Sequence, residues 1–259
     1  MTNYLLANES IHAQSRFFFL EQLFDPITRE ALRTVPLHRR ARVWEVGAGG
    51  GSIAALLEQR TRPVGGHVLA TDVNMKWMRP ITGVTTLVHD LETDDYPSIP
   101  FNLIHARLVV QHLVDPWLVL RQLVAALAPG GSLVVEELDP LLPYHPNPTT
   151  DDHALINLVG DGFTRLLEDH AHPALGRSLH RELSNAGLVD VTNHGHLIPS
   201  SGGGPGARLM QANVLQMRRR LVDLGISHAD LDRYYELMND PDTDFMLPVF
   251  FTAKGVKPS

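Results

Sequence analysis

The stretch "RVWEVGAGGGSIAALLEQR", residues 42–60, decides how this chain is read. Arg42 to Val46 is apolar and β-prone, four glycines follow within five positions, and Ser52 to Glu58 then reads as helix. A strand, a glycine turn and a helix in that order mark a ligand site. Gly47, Gly49, Gly50 and Gly51 have no Cβ, so the backbone turns tightly and a ligand approaches it closely.

Outward from this turn the same unit recurs. "GGHVLATD" (65–72) is a second strand ending on Asp72, and "VTTLVHD" (84–90) a third ending on Asp90. A fourth strand runs from about Phe101 to His105, and Asp115 with Pro116 then marks the N-cap and first turn of a helix through Leu127. "PGG" (129–131) breaks the chain before the fifth strand, "SLVVEEL". Short strands alternating with single crossover helices require a parallel sheet with helices on both faces. The strand ends at Gly47, Asp72, Asp90, His105 and Asp139 then converge on one crevice.

The flanking segments differ. "SIHAQSRFFFLEQLFDPITREALRTV" reads as two helices meeting near Asp25 and Pro26. "DPLLPYHPNP" carries four prolines in ten residues and precedes a helix from about Thr150 to His170. A helix at 177–186 leads to a strand near Val189 to Leu197. "SSGGGPG" (200–206) reads as a flexible joint before helices at about 207–223 and 228–239, the second capped by Ser227. Pro248 assigns a bulge or an edge position to the last strand, in "DFMLPVFFTAKGV". The divisions are an N-terminal helical cover (1–40), a ligand-binding core (41–139), a helical insertion or lid (140–187) and C-terminal strands with inserted helices (188–259).

Composition narrows the function. A formal charge of −7 offers no general attraction to nucleic acid or to an anionic membrane. Arg218, Arg219 and Arg220 splay around their helix as a solvated face. The absence of cysteine excludes disulfides, thiolate metal sites and cysteine nucleophiles. "FFFL" (17–20) is too short to span a bilayer, and the N-terminus lacks a signal-peptide pattern, so a cytoplasmic location is expected.

A nicotinamide-binding turn needs G-x-G-x-x-G, but counting from Gly47 reaches Ser52 where the third glycine belongs. The pattern present is E-x-G-x-G-x-G, and Glu45 would set an anion beside a diphosphate. A ligand with a cationic amino group fits better.

"VWEVGAGGGS" resembles the first motif of class I S-adenosylmethionine-dependent methyltransferases. Asp72 matches that family's ribose-binding acid, "HD" (89–90) its acid beside the adenine amino group, and "FNLIHARLVVQHLVDPWLVLRQLVAALAPGGSLVVEE" its fourth strand, following helix and fifth strand. The likeness is strong over about residues 40–139 and weaker in the last two strands. It implies a Rossmann-like, doubly wound, seven-stranded α/β sheet, mostly parallel with an antiparallel last strand, plus helical lid segments. The implied cofactor is S-adenosyl-L-methionine, with S-adenosyl-L-homocysteine as product. Glu45, Gly47, Ala48, Gly49 and Gly51 would meet the methionine part, Asp72 and Val73 the ribose, and Asp90 and Leu91 the adenine. Ala106 and Arg107 would line the methionine side. The family pattern departs at Asn74 and Met75, where several relatives carry an aromatic or aliphatic residue.

In-line methyl transfer needs alignment and exclusion of water, and no metal. A base enters only when the acceptor must lose a proton. His112, about two helical turns beyond the fourth strand, is the first candidate, against a merely local hydrogen-bonding role. Asp139 either serves the acceptor or caps the loop opened by Pro140. Tyr4 and Tyr144 lie in segments able to close over the site, or else in the core or at the surface. The pairs His170/His172 and His194/His196 have i, i+2 spacing but no fixed carboxylate set. The lid segments enclose a small-molecule acceptor, which the family likeness places among natural products, aromatic or indole-type ones included. The rival readings are a protein side-chain methyltransferase and a cyclase-like relative that binds the cofactor without transferring methyl. A homodimer is a further expectation.

Overall fold

The computed structural model describes residues 11–142, 144–145, 147–169 and 171–259; Tyr4 and His170 lie outside the described residues. The chain forms two compact units. One comprises Phe24–Glu137, Leu175–Gly195 and Phe251–Ser259, and the other Met1–Leu23, Leu138–Ala174 and His196–Phe250.

The first unit is built on a seven-stranded sheet. Its strands are β1 (Arg42–Val46), β2 (His67–Asp72), β3 (Val84–Val88), β4 (Phe101–Arg107), β5 (Leu127–Asp139), β6 (Val189–His196) and β9 (Val249–Val256). Their order is β3-β2-β1-β4-β5-β9-β6. The pairs β1–β2, β1–β4, β2–β3 and β4–β5 are parallel. Chain order therefore reverses between β1 and β4, and at such a switch point two successive loops diverge and leave a crevice at the carboxyl ends of the strands.

Side chains alternate between two cores, as a pleated strand requires. Val43, Leu103 and Val134 pack with Leu32 and Val35, and with Ile53, Leu56 and Leu57 of α2 (Ser52–Thr61). Trp44, Ile104, Leu133 and Val135 face the other way, onto Val119, Leu120 and Leu123 of α3 (Pro116–Ala126) and onto Leu175, Leu179 and Leu183 of α5 (Leu175–Asn185). Asp115 caps α3 as the sequence suggested, accepting from the Leu118 amide at 2.8 Å with Pro116 in the first turn.

Three local readings change. The first helix, α1 (Ile11–Arg33), runs through Pro26 instead of breaking there. The cost of an interior proline, about 3 kcal/mol, is opposed by side chains of the same turn, Asp25 and Thr28, which bond to Arg107 and Glu136. "PGG" lies inside β5, where Gly130 has φ 73 and the β4–β5 register shifts between Phe101 and Leu103. The glycines thus make a bulge, and the Gly130 amide donates to Lys257 O while the Lys257 amide donates to Gly131 O, a reciprocal antiparallel pairing. Pro248 precedes β9, which is an inner strand between β5 and β6, so the proline ends one strand, β8 (Asp244–Met246), and leaves the next one's amides free to pair.

The second unit packs α4 (Asp151–Glu168), α6 (Pro205–Asp223) and α7 (His228–Leu237) around Ile156, Phe163, Met210, Val214, Met217 and Tyr234. Met210 and Met217 of α6 are core residues. Ser227 and Asp230 form a reciprocal capping box at the start of α7. A small antiparallel sheet pairs β7 (Pro199–Ser201) with β8. The flexible joint expected at "SSGGGPG" is pinned: the Gly202 amide donates to Thr243 O at 2.9 Å and the Gly203 amide to Met238 O at 2.8 Å. The glycines there permit close backbone approach, since a Cβ on Gly202 would run into the Asp240 carbonyl and come within 2.8 Å of Leu237 O. Arg218 pairs with Asp232 at 2.7 Å on an open face, and Arg219 and Arg220 are exposed. Among the described residues no helix is long and apolar enough to cross a membrane.

Candidate active site

The strand register gathers the glycine loop and the acids. Val46 stands opposite Thr71 on one side and Ala106 on the other, so the loop leaves β1 level with the ends of β2 and β4. Gly47, Gly49 and Gly51 have φ of 67, 52 and 88, a left-handed backbone that side chains disfavour. Met78 closes on this loop, and a Cβ on Gly51 would sit 2.7 Å from its sulfur.

Asp72 is the anchor of the loop. Its Oδ2 accepts from the Gly49 amide at 2.9 Å and its Oδ1 from the Asn74 amide at 2.9 Å. Burial pushes this carboxyl above its usual range, against the pull of the Asn74, Gly49 and Val73 amides. The carboxyl oxygens have further acceptor capacity. Val73 and Val88 flank it, 53% and 63% exposed, and Val88 is the register partner of Asp72. A buried acid between uncovered valines suits a ligand with a hydroxyl-bearing ring joined to a flat apolar one.

Asp90 and Leu91 lie one loop farther. Asp90 Oδ1 accepts from the Glu92 amide at 3.0 Å, and its own amide donates to Asp94 at 2.9 Å. Leu91 is buried, and its carbonyl accepts from the Tyr96 hydroxyl at 3.2 Å. Tyr96 and His89 pack edge-on to Trp44, whose indole N–H donates to Thr71 at 2.9 Å. This aromatic cluster fixes the loop to β1 and β2.

At the end of β4, Arg107 donates to Asp25 at 2.9 Å and to Thr28 at 3.1 Å, and Asp25 also accepts from Ser52, the first residue of α2. Leu108 follows with φ 57, an uncommon conformation for a branched residue. Such outliers cluster at functional sites.

Glu45 is 2% exposed and already engaged. His105 donates from Nδ1 to Glu45 at 2.6 Å and from Nε2 to Glu136 at 3.2 Å. Thr28 donates to Glu136 Oε2 and Thr252 to Glu136 Oε1. Burial would lower the His105 pKa, but the two carboxylates outweigh it and raise it to about 9. For Glu136, burial is outweighed by His105, Arg107 and Thr28, which hold it below the usual range. Sequence reading missed this network. The signal was present as a histidine inside "FNLIHARL" and paired acids inside "SLVVEEL", because charges in buried strands require partners.

The base candidates are placed as follows. His112 ends a short 3-10 turn, Val110–His112, and not a second α-helical turn; its ring is half-buried, 3.4 Å from the Gln111 side-chain amide. Asp139 closes β5 and is fully buried. Tyr144 is a core residue of the second unit, packed against Gly160 and bonded to Thr164, with burial raising its hydroxyl pKa; this favours the core role for it over an acceptor role. His194 and His196 share one side of β6, the former exposed. Among the described residues, ligand-type side chains gather elsewhere: His145, His153 and Asp244 bring one ligand atom each within 4.8 Å. The two rings stack at 3.7 Å and 11°, so their in-plane lone pairs lie in separate parallel planes and cannot meet on one ion without a ring turning.

Residues 18–193 match the methyltransferase domain family. The chain belongs to that family. Among curated relatives of this methyltransferase-family chain, methyltransferase str3 of Strobilurus tenacellus is 29% identical over 173 residues, covering 62% of this chain and 58% of the relative. The chain thus spans little more than half the length of that relative. Phosphoethanolamine N-methyltransferase 2 of Haemonchus contortus, solved with phosphomonomethylethanolamine and S-adenosylhomocysteine, superposes with TM-score 0.60 at 15% identity over all of this chain and 60% of its own. The [4+2]-cyclase SpnF superposes with TM-score 0.50 at 16% identity, covering 92% and 82%. The fold of this methyltransferase domain is therefore similar to that of proteins named for different reactions, and fold alone does not assign the acceptor.

Proposed function

We propose that this protein transfers a methyl group from S-adenosyl-L-methionine to a small organic acceptor. The observation that carries the reading is Asp72, a buried acid tied to the glycine loop through the Gly49 amide at the end of β2. In this reading Asp72 accepts the ribose hydroxyls, Val73 packs beside them, Asp90 and the Leu91 amide meet the adenine, and the backbone of Gly47, Ala48, Gly49, Ala106 and Arg107 lines the methionine part. Gly51 keeps the loop close to α2. The Glu45 carboxylate lies beneath the loop, on the side where a cationic amino group would sit, and is held in place by His105.

When bound, S-adenosyl-L-methionine supplies an activated methyl on sulfur. The protein's share is to hold that methyl in line with the acceptor atom and to keep water away. His112 takes a proton where the acceptor is a hydroxyl or an ammonium, and Asp139 is the second candidate for that role. Acceptors of natural-product type, the class expected from the sequence, are the first to screen.

The test is incubation with methyl-labelled cofactor and a panel of phenolic, indolic and carboxylate acceptors, following both label and S-adenosylhomocysteine. Label in a small molecule supports the reading. Label only in protein would make this a protein side-chain methyltransferase. Cofactor bound with no S-adenosylhomocysteine formed on any acceptor would favour the cyclase-like role that the likeness to SpnF keeps open.

A further inference from the structure

Glu137 is fully buried at the end of β5 and is not among the residues assigned above. One of its oxygens, Oε1, accepts three consecutive backbone amides: Val109 at 3.2 Å, Val110 at 2.8 Å and Gln111 at 3.2 Å. Its other oxygen, Oε2, is buried without a hydrogen-bond partner. A side chain placed so that one oxygen serves three amides fixes the backbone that carries them, because three successive N–H groups converge only when the chain curls around a point.

That curl has consequences on both sides. It begins at Leu108, whose φ of 57 is sustained by its amide donating to Glu136 O at 2.8 Å. Val109 then presses on the glycine loop: its side chain occupies the space a Cβ on Gly47 would need. The curl ends at His112, whose amide donates to Val109 O at 3.0 Å. One carboxyl group thus sets the segment that touches the first loop glycine and carries the base candidate.

We propose that Glu137 is a positioning residue: as the shared acceptor of three amides it shapes residues 108–112 so that Val109 holds the glycine loop in its cofactor-binding form. The link to the cofactor rests on the methyltransferase reading above. The shaping of the segment does not. Burial raises the Glu137 carboxyl to about 8, partly opposed by the Gln111, Val110 and Val109 amides, which agrees with an oxygen that works as an acceptor with or without charge.

The experiment compares wild type, Glu137→Gln and Glu137→Ala in three readouts: amide hydrogen exchange of Val109, Val110 and Gln111, the Kd for S-adenosylhomocysteine, and Tm. Glutamine keeps the acceptor oxygen, so exchange protection and Kd are expected within about threefold of wild type. Alanine is expected to speed exchange at these amides at least tenfold and to weaken S-adenosylhomocysteine at least tenfold. A glutamine variant as impaired as alanine overturns the acceptor role. An alanine variant that loses Tm while keeping its affinity reduces Glu137 to a packing residue and overturns the positioning role. Failure of the wild type itself to bind S-adenosylhomocysteine is a separate result: it removes the methyltransferase reading, and the exchange data alone then decide whether Glu137 shapes the segment.

Discussion

His105 donates from Nδ1 to Glu45 at 2.6 Å across neighbouring strands, with neither side chain reaching solvent. A buried imidazole between Glu45 and Glu136 is charged in the folded state, since both carboxylates favour its proton. The sign of the pH effect follows. The folded pKa, about 9, lies above the ordinary value of 6.5, so this stabilisation is complete below about pH 6.5 and is lost as pH rises through 9. Glu137 acts in the same direction at lower pH: its carboxyl keeps a proton in the folded state up to about 8, so stability also declines between about 4.5 and 8. Urea midpoints measured from pH 6 to 10 should fall steadily. In Glu137→Gln the fall above about 6.5 should remain, because the raised His105 pKa carries it. A midpoint independent of pH from 6.5 to 9.5 in that variant would contradict the charged His105.

Gly47 is predicted to resist replacement for two separable reasons. Its φ of 67 costs a side chain about 1 kcal/mol, and the crowding against Val109 adds about 1–3 kcal/mol. Gly47→Ala should therefore lose about 2–4 kcal/mol in chemical denaturation. Gly47→Ala combined with Val109→Ala should recover part of that loss, as contacting residues do in a double-mutant cycle. Strict additivity of the two changes would show that Val109 is not what crowds the loop.

In the second unit, Gly202 is buried where a Cβ would run into the Asp240 carbonyl and approach Leu237 O at 2.8 Å. Gly202→Ala should destabilise the protein by about 1–3 kcal/mol. Gly225→Ala provides the comparison: no atom lies within 4 Å of its Cβ position, though its φ of 96 carries a backbone cost. A Gly202→Ala variant as stable as wild type would mean that this turn is not pinned.

Much of the fold could be read along the chain because strand, glycine turn and crossover helix are local patterns, and "RVWEVGAGGGSIAALLEQR" holds all three. Asp72 and Asp90 could be read because the ends of β2 and β3 are marked by composition. What escaped was decided by partners distant in sequence. The continuity of α1 through Pro26 depends on Arg107, about eighty residues on, and Pro248 was misjudged because β9 inserts between β5 and β6 only in the folded sheet. Glycine at 200–206 supplies freedom in isolation, yet the carbonyls of Met238 and Thr243 turn it into a fixed crossing. The His105 network joins strands 31 and 60 residues apart, a distance at which no periodicity carries a signal.

The most direct test of the central claim is calorimetric titration of wild type and Asp72→Ala with S-adenosylhomocysteine, with NAD as the control. The carboxylate bonds of Asp72 to hydroxyls should each contribute about 1.5–3 kcal/mol. Asp72→Ala is thus expected to weaken S-adenosylhomocysteine by about tenfold to several hundredfold while NAD binds neither protein. Binding of NAD, or S-adenosylhomocysteine affinity that is absent or indifferent to Asp72, would contradict the account.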